Sequence, residues 1–495
     1  MSTLSTHQLF DLRLNRAFAL LRENRAYQYW LLAAITILAA GLRFYKLGEW
    51  SFWIDEIYTI NRAQIHLSNP VTFLRNLPTT LWLPVSLILT EGFLKVLGVT
   101  EWNARIASNL IGIISIPILF FPVRKLIGSS VALILALLLA ISPWHLFWSQ
   151  NARFYTSLLL LYNLAAFAFF YAIERDRPIY LLIFYVLFYF SVSERLIAVF
   201  IFPVLLAYLA ALWIFPYERP PGLRKRNILL LIVPLVALVL LDGLRFLLIN
   251  SSIILDAIQD FGGQQFDDPL RLLVAIFYNI SFPIVSLSMV AGLYSLIRKS
   301  RVELFFLLSA VVPVILFVLL NPFMFTKDRF VFMTLPNWFI LAALAIRGIF
   351  SQTQGLGKLL ALGMVVMLIA EASGTNLLYY HVNGGNRRDW RTAFEIIKEN
   401  SLDGDIYVAW WPQFGPYYLG REIIPYKDVT PDSVVESGKR YWFVVDSETV
   451  WGNYPLIKWL QTHARLVEVL SLRMPEDDFN LRIYLYDPVR YNVSK

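Results

Sequence analysis

The chain has 495 residues, of which 58% are hydrophobic and 16% aromatic, and its mean hydropathy is +0.58. A soluble protein of this length cannot bury so much apolar surface, so the composition excludes a soluble globular protein and indicates a polytopic membrane protein. The absence of cysteine excludes disulfides and thiolate metal sites, and the net charge of +8 lies mostly in short loops, which favours membrane topology over nucleic-acid binding.

Residues 1–28 carry four arginines between apolar residues, and they are predicted to form a cytoplasmic amphipathic segment without a cleavable signal peptide. The apolar runs that follow are bounded by charged residues, proline or glycine, and have the length of membrane spans, about 17–25 residues. Eleven spans are predicted. They cover residues 29–46, 104–123, 129–148, 155–173, 178–193, 195–215, 227–249, 270–297, 302–321, 330–350 and 357–379.

One further apolar run, residues 81–97, decides on which side of the membrane every later loop lies. If this run lies on the surface or re-enters the membrane, the segments richest in arginine and lysine share the cytoplasmic side with the N-terminus. If it spans, nearly all of the later basic segments move outside. The positive-inside rule favours the first arrangement, with the C-terminus outside.

This topology brings five polar segments from distant parts of the chain to the outer side. They are residues 46–104, 149–155, 191–195, 250–269 and 325–329. The first segment contains Asp55 and Glu56 among aromatic residues at the mouth of a span, where ionisable groups are costly to desolvate. The convergence of acidic and basic groups on one membrane face predicts a functional site there.

The composition becomes polar after Tyr380, where short β-rich runs alternate with helical patterns. The β-rich runs are residues 406–411, 441–445, 466–472 and 481–486, and the helical patterns cover residues 390–400 and 454–463. We expect three parts in the chain: the cytoplasmic segment of residues 1–28, a helical membrane domain of residues 29–380, and a small outer α/β domain of residues 381–495.

Asp55 and Glu56 are the candidate catalytic residues. A buried carboxylate with a pKa near neutral suits the removal of a proton from an attacking hydroxyl group. Adjacent residues on a helix diverge by about 100°, so we expect only one of the two to face a substrate. That residue is Asp55, and the alternative for Glu56 is that it binds the backbone or a basic neighbour.

Arg153, Lys327 and Arg329 are the candidate phosphate-binding residues, because their side chains offer donors to phosphate oxygens. For Arg153 the alternative is snorkelling at the end of a span, and one of the other two is expected to pair with Asp328. The predicted substrate-binding set also contains Tyr58, Tyr155 and Glu194.

Metal binding finds little support in the sequence. His66 and His145 have no partner at metal-ligand spacing, and Asp242 and Arg245 are expected to neutralise each other within one helix. We therefore expect no cofactor, although the acidic pair in the first loop could hold a divalent cation.

Several short motifs occur in a particular order. They are Leu42-Arg43-Phe44, Phe52-Trp53-Ile54-Asp55-Glu56, the run from Gly98 to Arg105, the run from Ser149 to Tyr155, Asp328-Arg329-Phe330 and Arg388-Asp389-Trp390-Arg391. Together they resemble the bacterial GT-C glycosyltransferases of the protein O-mannosyltransferase and lipid A aminoarabinose transferase type, over most of residues 30–400. The resemblance implies an inverting enzyme of the bacterial inner membrane, which moves a sugar from a polyprenyl-phosphate carrier to a lipid, glycan or protein acceptor.

The resemblance also implies roles for individual residues. The first-loop aspartate, here Asp55, is the catalytic residue of the family, and the basic residues that hold the lipid phosphate map best onto Arg153 and Arg329. One departure is the segment 79–84, Thr-Thr-Leu-Trp-Leu-Pro, where many relatives have Lys-Pro-Pro. Without that lysine, the phosphate contact must come from another residue, for which Lys327 is a candidate.

Two other classes of function remain open from the sequence. A transporter or flippase of lipid-linked sugars would use the outer charges as a translocation path, but such proteins more often show repeated halves, which this chain lacks. A non-catalytic scaffold with an outer sensor domain would leave the convergent loops unexplained. The expected partners are the sugar donor, its acceptor and membrane lipids, without nucleic acid.

Overall fold

A computed structural model describes residues 24–68, 84–234, 236, 240, 268–323, 326–352, 356–446, 454–471 and 480–491 of the chain. A bundle of helices precedes a small sheet domain. The helices of the bundle are α1 (Arg25–Phe44), α2 (Ile54–Ser68), α3 (Val85–Leu97), α4 (Glu101–Leu126), α5 (Ser129–Ile141), α6 (Pro143–Ser149), α7 (Tyr155–Arg175), α8 (Ile179–Glu194), α9 (Ile201–Ile214), α10 (Pro269–Ile280), α11 (Phe282–Arg298), α12 (Arg301–Leu320), α13 (Leu335–Gln352) and α14 (Leu356–His381). Residues 225–234 are also helical.

Seven helical segments within the described ranges are long and apolar enough to cross a membrane, and nine if each of two bent pairs forms one span. The multi-pass helical architecture is thereby confirmed. The count of eleven spans stays a prediction, because most of residues 227–249, including Asp242 and Arg245, lies outside the described residues. Helix α8, with 16 residues, is shorter than the roughly 20 residues that a bilayer requires.

Two of the predicted spans are not straight. The helices α5 and α6 meet at 60°, and α10 and α11 meet at 94°. Prolines explain both breaks, because Pro143 and Pro283 lack the backbone N–H that would continue the preceding helix. Ser281 joins α10 to α11 with a φ of +93°. The span predicted for residues 270–297 therefore consists of two helices that are bent against each other at Ser281.

The ambiguous run of residues 81–97 contains the short helix α3. With 13 residues it is about 20 Å long, whereas the hydrocarbon core of a bilayer is about 30 Å thick. Helix α3 packs on α2 and α4. The structure thus agrees with the interpretation that this run does not span the membrane.

The C-terminal part forms the predicted small α/β domain. Its elements are α15 (Trp390–Asn400), β1 (Ile406–Ala409), β2 (Ile424–Pro425), α16 (Pro431–Ser437), β3 (Tyr441–Val445), α17 (Tyr454–His463), β4 (Arg465–Leu470), β5 (Leu481–Tyr486) and α18 (Pro488–Tyr491). The strand order is β2-β1-β3-β5-β4. Strand β1 is parallel to both β2 and β3, whereas β5 is antiparallel to both β3 and β4.

One apolar cluster joins this domain to α2. It contains Ile54, Ile57 and Ile60 of α2, together with buried residues of α15 and of the sheet. The other face of the sheet has its own core, formed with α16 and α17. Because α2 buries one face against the C-terminal domain, the position of the acidic pair depends on both parts of the protein.

Candidate active site

The connector between α1 and α2 is built around Arg105, which lies in the first half of α4. Its side chain is fully buried. Its Nη1 donates hydrogen bonds to the carbonyl oxygens of Leu47 and Trp50, at 2.9 and 3.0 Å, and its Nη2 donates to that of Ser51, at 2.9 Å. One guanidinium group therefore fixes the path of the chain that leads into the acidic pair.

Glu56 binds the same guanidinium group. The Nε of Arg105 donates to Oε1 and the Nη2 to Oε2, both at 2.8 Å, and neither side chain has exposed surface. The backbone N–H of Ala152 donates to Oε1 at 2.8 Å, and that of Trp53 donates to Oε2 at 3.0 Å. The last contact caps the first turn of α2.

The electrostatic environment keeps Glu56 ionised. Burial alone would raise its pKa, but the charges of Arg105 and Arg387 and the hydrogen bonds to the carboxylate lower the pKa to about 2. With both oxygens bound inside the protein, Glu56 is a positioning residue. The catalytic role predicted for it is not supported by this geometry.

Asp55 has a different environment, although it is the next residue. Its side chain is 24% exposed, and its Oδ2 lies 3.6 Å from the Nη2 of Arg153. The Nη1 of Arg153 donates to the carbonyl oxygen of Asp55 at 2.8 Å and to the Oγ1 of Thr59 at 3.0 Å. Arg153 thus holds the first turn of α2 and orients the Asp55 carboxylate.

A cavity of about 680 Å³ lies next to this turn, between the helical bundle and the C-terminal domain. Trp53 and Ile54, the two residues before Asp55, form part of its wall. Four cationic residues also line it: Lys327, Arg329, Arg387 and Arg388. The wall on the side of the bundle is mostly apolar and includes residues of α5, α11 and α14, and Glu371 of α14 also lines it. The cavity therefore combines an apolar side with a cationic one.

Lys327 and Arg329 reach the cavity from the segment before α13, as expected for phosphate-binding residues. The guanidinium carbon of Arg329 lies 5.3 Å from the ring centre of Trp53, and its Nε is buried without a hydrogen-bond partner among the described residues. Asp328, between the two cations, accepts a 2.6 Å hydrogen bond from Asn279. The guanidinium group of Arg329 therefore lies at Trp53, in the part of the cavity wall that precedes Asp55 in the chain.

Apart from Lys327 and Arg329, the predicted site residues do not line the cavity, and Asp55 and Glu56 lie just beyond its wall at Trp53 and Ile54. Tyr155 is buried against Trp148, with ring centres 3.9 Å apart, and Tyr58 is 45% exposed on α2. Glu194 accepts hydrogen bonds from the N–H and the Oγ of Ser86 at the start of α3, at 2.9 and 2.5 Å. Arg153 is also absent from the wall, since it binds α2 instead. The substrate-binding roles of these four residues stay predictions.

The structure adds functional candidates that the sequence reasoning missed. Arg105 and Arg387 were not singled out, although Arg105 ends one of the quoted motifs and Arg387 lies in the junction before α15. Arg105 also carried a signal of its own, because an arginine inside an apolar helix is costly unless it is paired. Arg43 is a third buried arginine, which donates to the carbonyl oxygens of Leu139 and Ala140 at the end of α5.

No cluster of three or more metal-ligating side chains occurs within the described ranges. Asp55 and Glu56 are bound by different arginines, so they do not act as one ligand pair. His145 is buried, and its Nδ1 lies 2.7 Å from the Nη2 of Arg43. His66 lies in α2, and its side chain is outside what the structure describes. The question of a cofactor stays untested.

Comparisons with known proteins agree with the architecture. A family model described as dolichyl-phosphate-mannose-protein mannosyltransferase matches residues 79–247. ArnT from Cupriavidus metallidurans in the apo state is 13% identical with a TM-score of 0.57, over 94% of this chain and 99% of that chain. Its form bound to undecaprenyl phosphate is 14% identical with a TM-score of 0.56, over 91% and 97%.

A third similar structure is the archaeal oligosaccharyltransferase AglB from Archaeoglobus fulgidus, in complex with an inhibitory peptide and a dolichol-phosphate. It is 14% identical, with a TM-score of 0.55, over 88% of this chain and 72% of that chain. A comparison with curated protein sequences found no match. The structural likenesses show that the chain has the GT-C fold. The fold that the order of the motifs predicted is thus confirmed.

Proposed function

We propose that the protein is an inverting glycosyltransferase, which moves a sugar from a polyprenyl-phosphate carrier to an acceptor. One observation carries the proposal: a cavity that is apolar on one side and cationic on the other lies directly beside the turn that presents Asp55. A lipid phosphate needs both kinds of surface, because its chain is apolar and its headgroup is anionic. The description of the matching family names dolichyl-phosphate-mannose. Of the similar structures, one is bound to undecaprenyl phosphate and another is in complex with a dolichol-phosphate.

Lys327 and Arg329 bind the carrier phosphate in this proposal. Both line the cavity, and the buried Nε of Arg329 offers a donor that no described residue accepts. A guanidinium group and an ammonium group stabilise the negative charge that develops on the phosphate as it leaves. They take the place of the lysine that is absent from residues 79–84.

Asp55 is the general base. The acceptor oxygen attacks the anomeric carbon of the sugar while its proton passes to the carboxylate of Asp55. The new carbon–oxygen bond forms as the bond between the anomeric carbon and the phosphate oxygen breaks, and the bonding pair leaves with the lipid phosphate. A single displacement of this kind inverts the configuration at the anomeric carbon. The acceptor is a lipid, a glycan or a protein.

The reaction takes place on the extracytoplasmic face of a bacterial inner membrane. The distribution of arginine and lysine supports this orientation, since it places the basic loops inside and the C-terminal domain outside. A carrier that has been delivered to the outer leaflet then reaches the cavity from the membrane, and the acceptor reaches it from the aqueous side.

The test uses membranes that contain the full chain and labelled polyprenyl-phosphate sugars. We expect the label to move from the carrier lipid to an endogenous acceptor, and Arg329→Met to raise the KM for the carrier about tenfold, as the loss of one charged hydrogen bond predicts. Arg195→Met is the matched control, because Arg195 is an exposed arginine outside the cavity wall. Movement of intact lipid-linked sugar between leaflets, without transfer, would contradict the proposal and support a flippase.

A further inference from the structure

Two exposed cations lie at the end of the bundle that is remote from the candidate active site. These interfacial cations are Lys125, in the last turn of α4, and Arg175, at the C-terminus of α7. Helix α7 begins at Tyr155, near the acidic pair, and its 21 residues are about 31 Å long. Since the hydrocarbon core of a bilayer is about 30 Å thick, Arg175 lies at the opposite membrane interface.

An aromatic ring joins the two cations. The Nζ of Lys125 lies 5.3 Å from the ring centre of Tyr171, and the guanidinium carbon of Arg175 lies 5.2 Å from the same ring centre. Tyr171 also stacks on Tyr180 of α8, with ring centres 5.6 Å apart, and its hydroxyl donates a 3.2 Å hydrogen bond to the carbonyl oxygen of Pro122. These contacts bring α4, α7 and the start of α8 together and hold both positive charges at one place.

No ion pair compensates the interfacial cations within the described ranges. The neighbouring carboxylates, Glu174 and Asp176, are bound by other arginines. These are Arg301, at 3.0 Å from Glu174, and Arg224 and Arg226, at 2.9 and 3.2 Å from Asp176. The interfacial cations therefore repel each other, and together they attract an anion from outside the chain.

Exposed apolar side chains extend from this place towards the middle of the bilayer. Phe121 lies one turn before Lys125 on α4 and is 50% exposed, and Leu182 in the first part of α8 is 60% exposed. Ile179 and Ile183 of α8 are exposed as well. A phospholipid needs this combination of surfaces, because its charged headgroup is joined to apolar acyl chains. A free anion would gain nothing from the apolar surface.

We infer that Lys125 and Arg175 bind the headgroup of an anionic phospholipid, in the leaflet opposite the candidate active site. A phosphate group between the two cations replaces their mutual repulsion by two attractions, and the guanidinium group of Arg175 offers parallel donors to its oxygens. The acyl chains lie along α4 and α8, so the bound lipid fastens these helices to α7. The inference does not depend on sugar transfer, since neither residue lines the cavity.

The first experiment measures the binding of dioleoylphosphatidylglycerol to the purified full chain in a neutral detergent, by native mass spectrometry. Each cation near an anionic lipid contributes about fivefold in affinity, so Lys125→Met/Arg175→Met should bind the lipid about thirtyfold more weakly. The matched control is Arg224→Met/Arg226→Met. It removes the same net charge, but from arginines that Asp176 already compensates, and we expect less than about a twofold change.

The result that overturns the inference is equally clear. Unchanged affinity in Lys125→Met/Arg175→Met, or an equal loss in both double variants, would show that the lipid responds only to the net charge of the protein. The unfolding temperature gives a second readout. Added phosphatidylglycerol should raise it in the wild type and in the control, but not in Lys125→Met/Arg175→Met.

An exchange of the two cations separates charge from packing. Lys125→Arg/Arg175→Lys keeps both charges, so its affinity for the lipid should stay within about threefold of the wild type. A loss as large as that of Lys125→Met/Arg175→Met would show that the packing of these helices is responsible, and would also contradict the inference.

Shorter and uncharged ligands test whether the anion belongs to a lipid. Dihexanoylphosphatidylglycerol should bind at least about tenfold more weakly than the dioleoyl form, because it buries less apolar surface. Inorganic phosphate should not compete at equal concentration, and dioleoylphosphatidylcholine should bind weakly to every variant. Effective competition by inorganic phosphate would reassign the site to a free anion, and equal binding of phosphatidylcholine would leave only a general apolar surface; either result would overturn the inference.

Discussion

Arg105 donates two 2.8 Å hydrogen bonds to the carboxylate of Glu56, in a place where neither side chain has exposed surface. The same arginine holds three backbone carbonyls of the connector that precedes α2. The pair therefore sets the position of the adjacent Asp55, which keeps partial exposure. The carboxylate of Glu56 therefore has a structural role, and the partly exposed carboxylate of Asp55 can contact a substrate.

Glu56→Gln is expected to destabilise the protein strongly. The change removes the buried negative charge and leaves Arg105 and Arg387 uncompensated, and breaking a buried ion pair on one side typically costs about 3–5 kcal/mol. Thermal unfolding in detergent measures the effect. Glu49→Gln is the control, because Glu49 lies in the same connector but is half exposed and forms an exposed ion pair with Lys46. Equal unfolding temperatures for the two variants would contradict the structural role of Glu56.

The same carboxylate predicts a dependence of stability on pH. The pKa of Glu56 is about 2 in the folded protein and 4.5 ordinarily. A lowered pKa stabilises the folded state above pH 4.5, and the contribution is lost as the pH falls from 4.5 towards 2. The unfolding temperature of the wild type should fall more steeply in this window than that of Glu56→Gln. Parallel curves would show that another carboxyl group is responsible.

Arg153→Lys separates two roles for Arg153. If Arg153 positions Asp55, as its contacts with the Asp55 carbonyl and Thr59 indicate, loss of the fork should lower kcat about tenfold and leave the KM for the carrier nearly unchanged. If Arg153 instead holds the lipid phosphate, as the sequence motifs predicted, the KM for the carrier should rise. Steady-state transfer kinetics in membranes distinguish the two results.

Tyr418→Phe should loosen the contact between the C-terminal domain and the first connector. The hydroxyl of Tyr418 accepts the N–H of Phe52 at 2.7 Å and donates to Glu101 at 3.0 Å. Its removal leaves both groups without this partner, which costs about 1–3 kcal/mol. Limited proteolysis and thermal unfolding should both report the change. Tyr407→Phe is the control, because that hydroxyl contacts Arg421 within the C-terminal domain; equal proteolysis of both variants would contradict the docking role.

Gly385→Ala tests the close approach beside Arg387. Gly385 has a φ of +65°, and an added Cβ would lie 2.4 Å from the ring of Trp50. Gly420 has nearly the same φ, +67°, but nothing lies within 4 Å of its added Cβ. Gly420→Ala should cost only the backbone strain, about 1–2 kcal/mol. Gly385→Ala should lower the unfolding temperature further, and equal unfolding temperatures for the two variants would show that the ring contact does not matter.

The sequence predicted the architecture well wherever a local pattern decides the structure. Apolar runs predicted the helices of the bundle, β-rich runs predicted β1, β3, β4 and β5, and helical patterns predicted α15 before β1 and α17 between β3 and β4. The 94° break between α10 and α11 was missed because a proline near an apolar run does not reveal whether the chain turns or continues. Strand β2 was missed because two residues carry no periodic signal.

The candidate site was harder to predict, because its decisive contacts join distant residues. The motifs drew attention to Asp55, Glu56 and Arg329, but nothing local shows that Arg105, 49 positions after Glu56, binds its carboxylate. Arg387 lies more than three hundred residues from the connector it faces. A cationic residue in the sequence indicates a charge, and only the fold shows whether that charge is bound, as in Arg153, or faces a cavity, as in Arg329.

The most direct test of the account is sugar transfer by Asp55→Asn, measured in membranes with a labelled polyprenyl-phosphate sugar. Asparagine keeps the shape of the side chain and removes the base. Glu49→Gln, a neutralised carboxylate in the preceding connector, is the control. We expect Asp55→Asn to insert and unfold like the wild type but to lose transfer by about two to four orders of magnitude, the usual contribution of a general base. Transfer at the wild-type rate would contradict it and place the chemistry elsewhere.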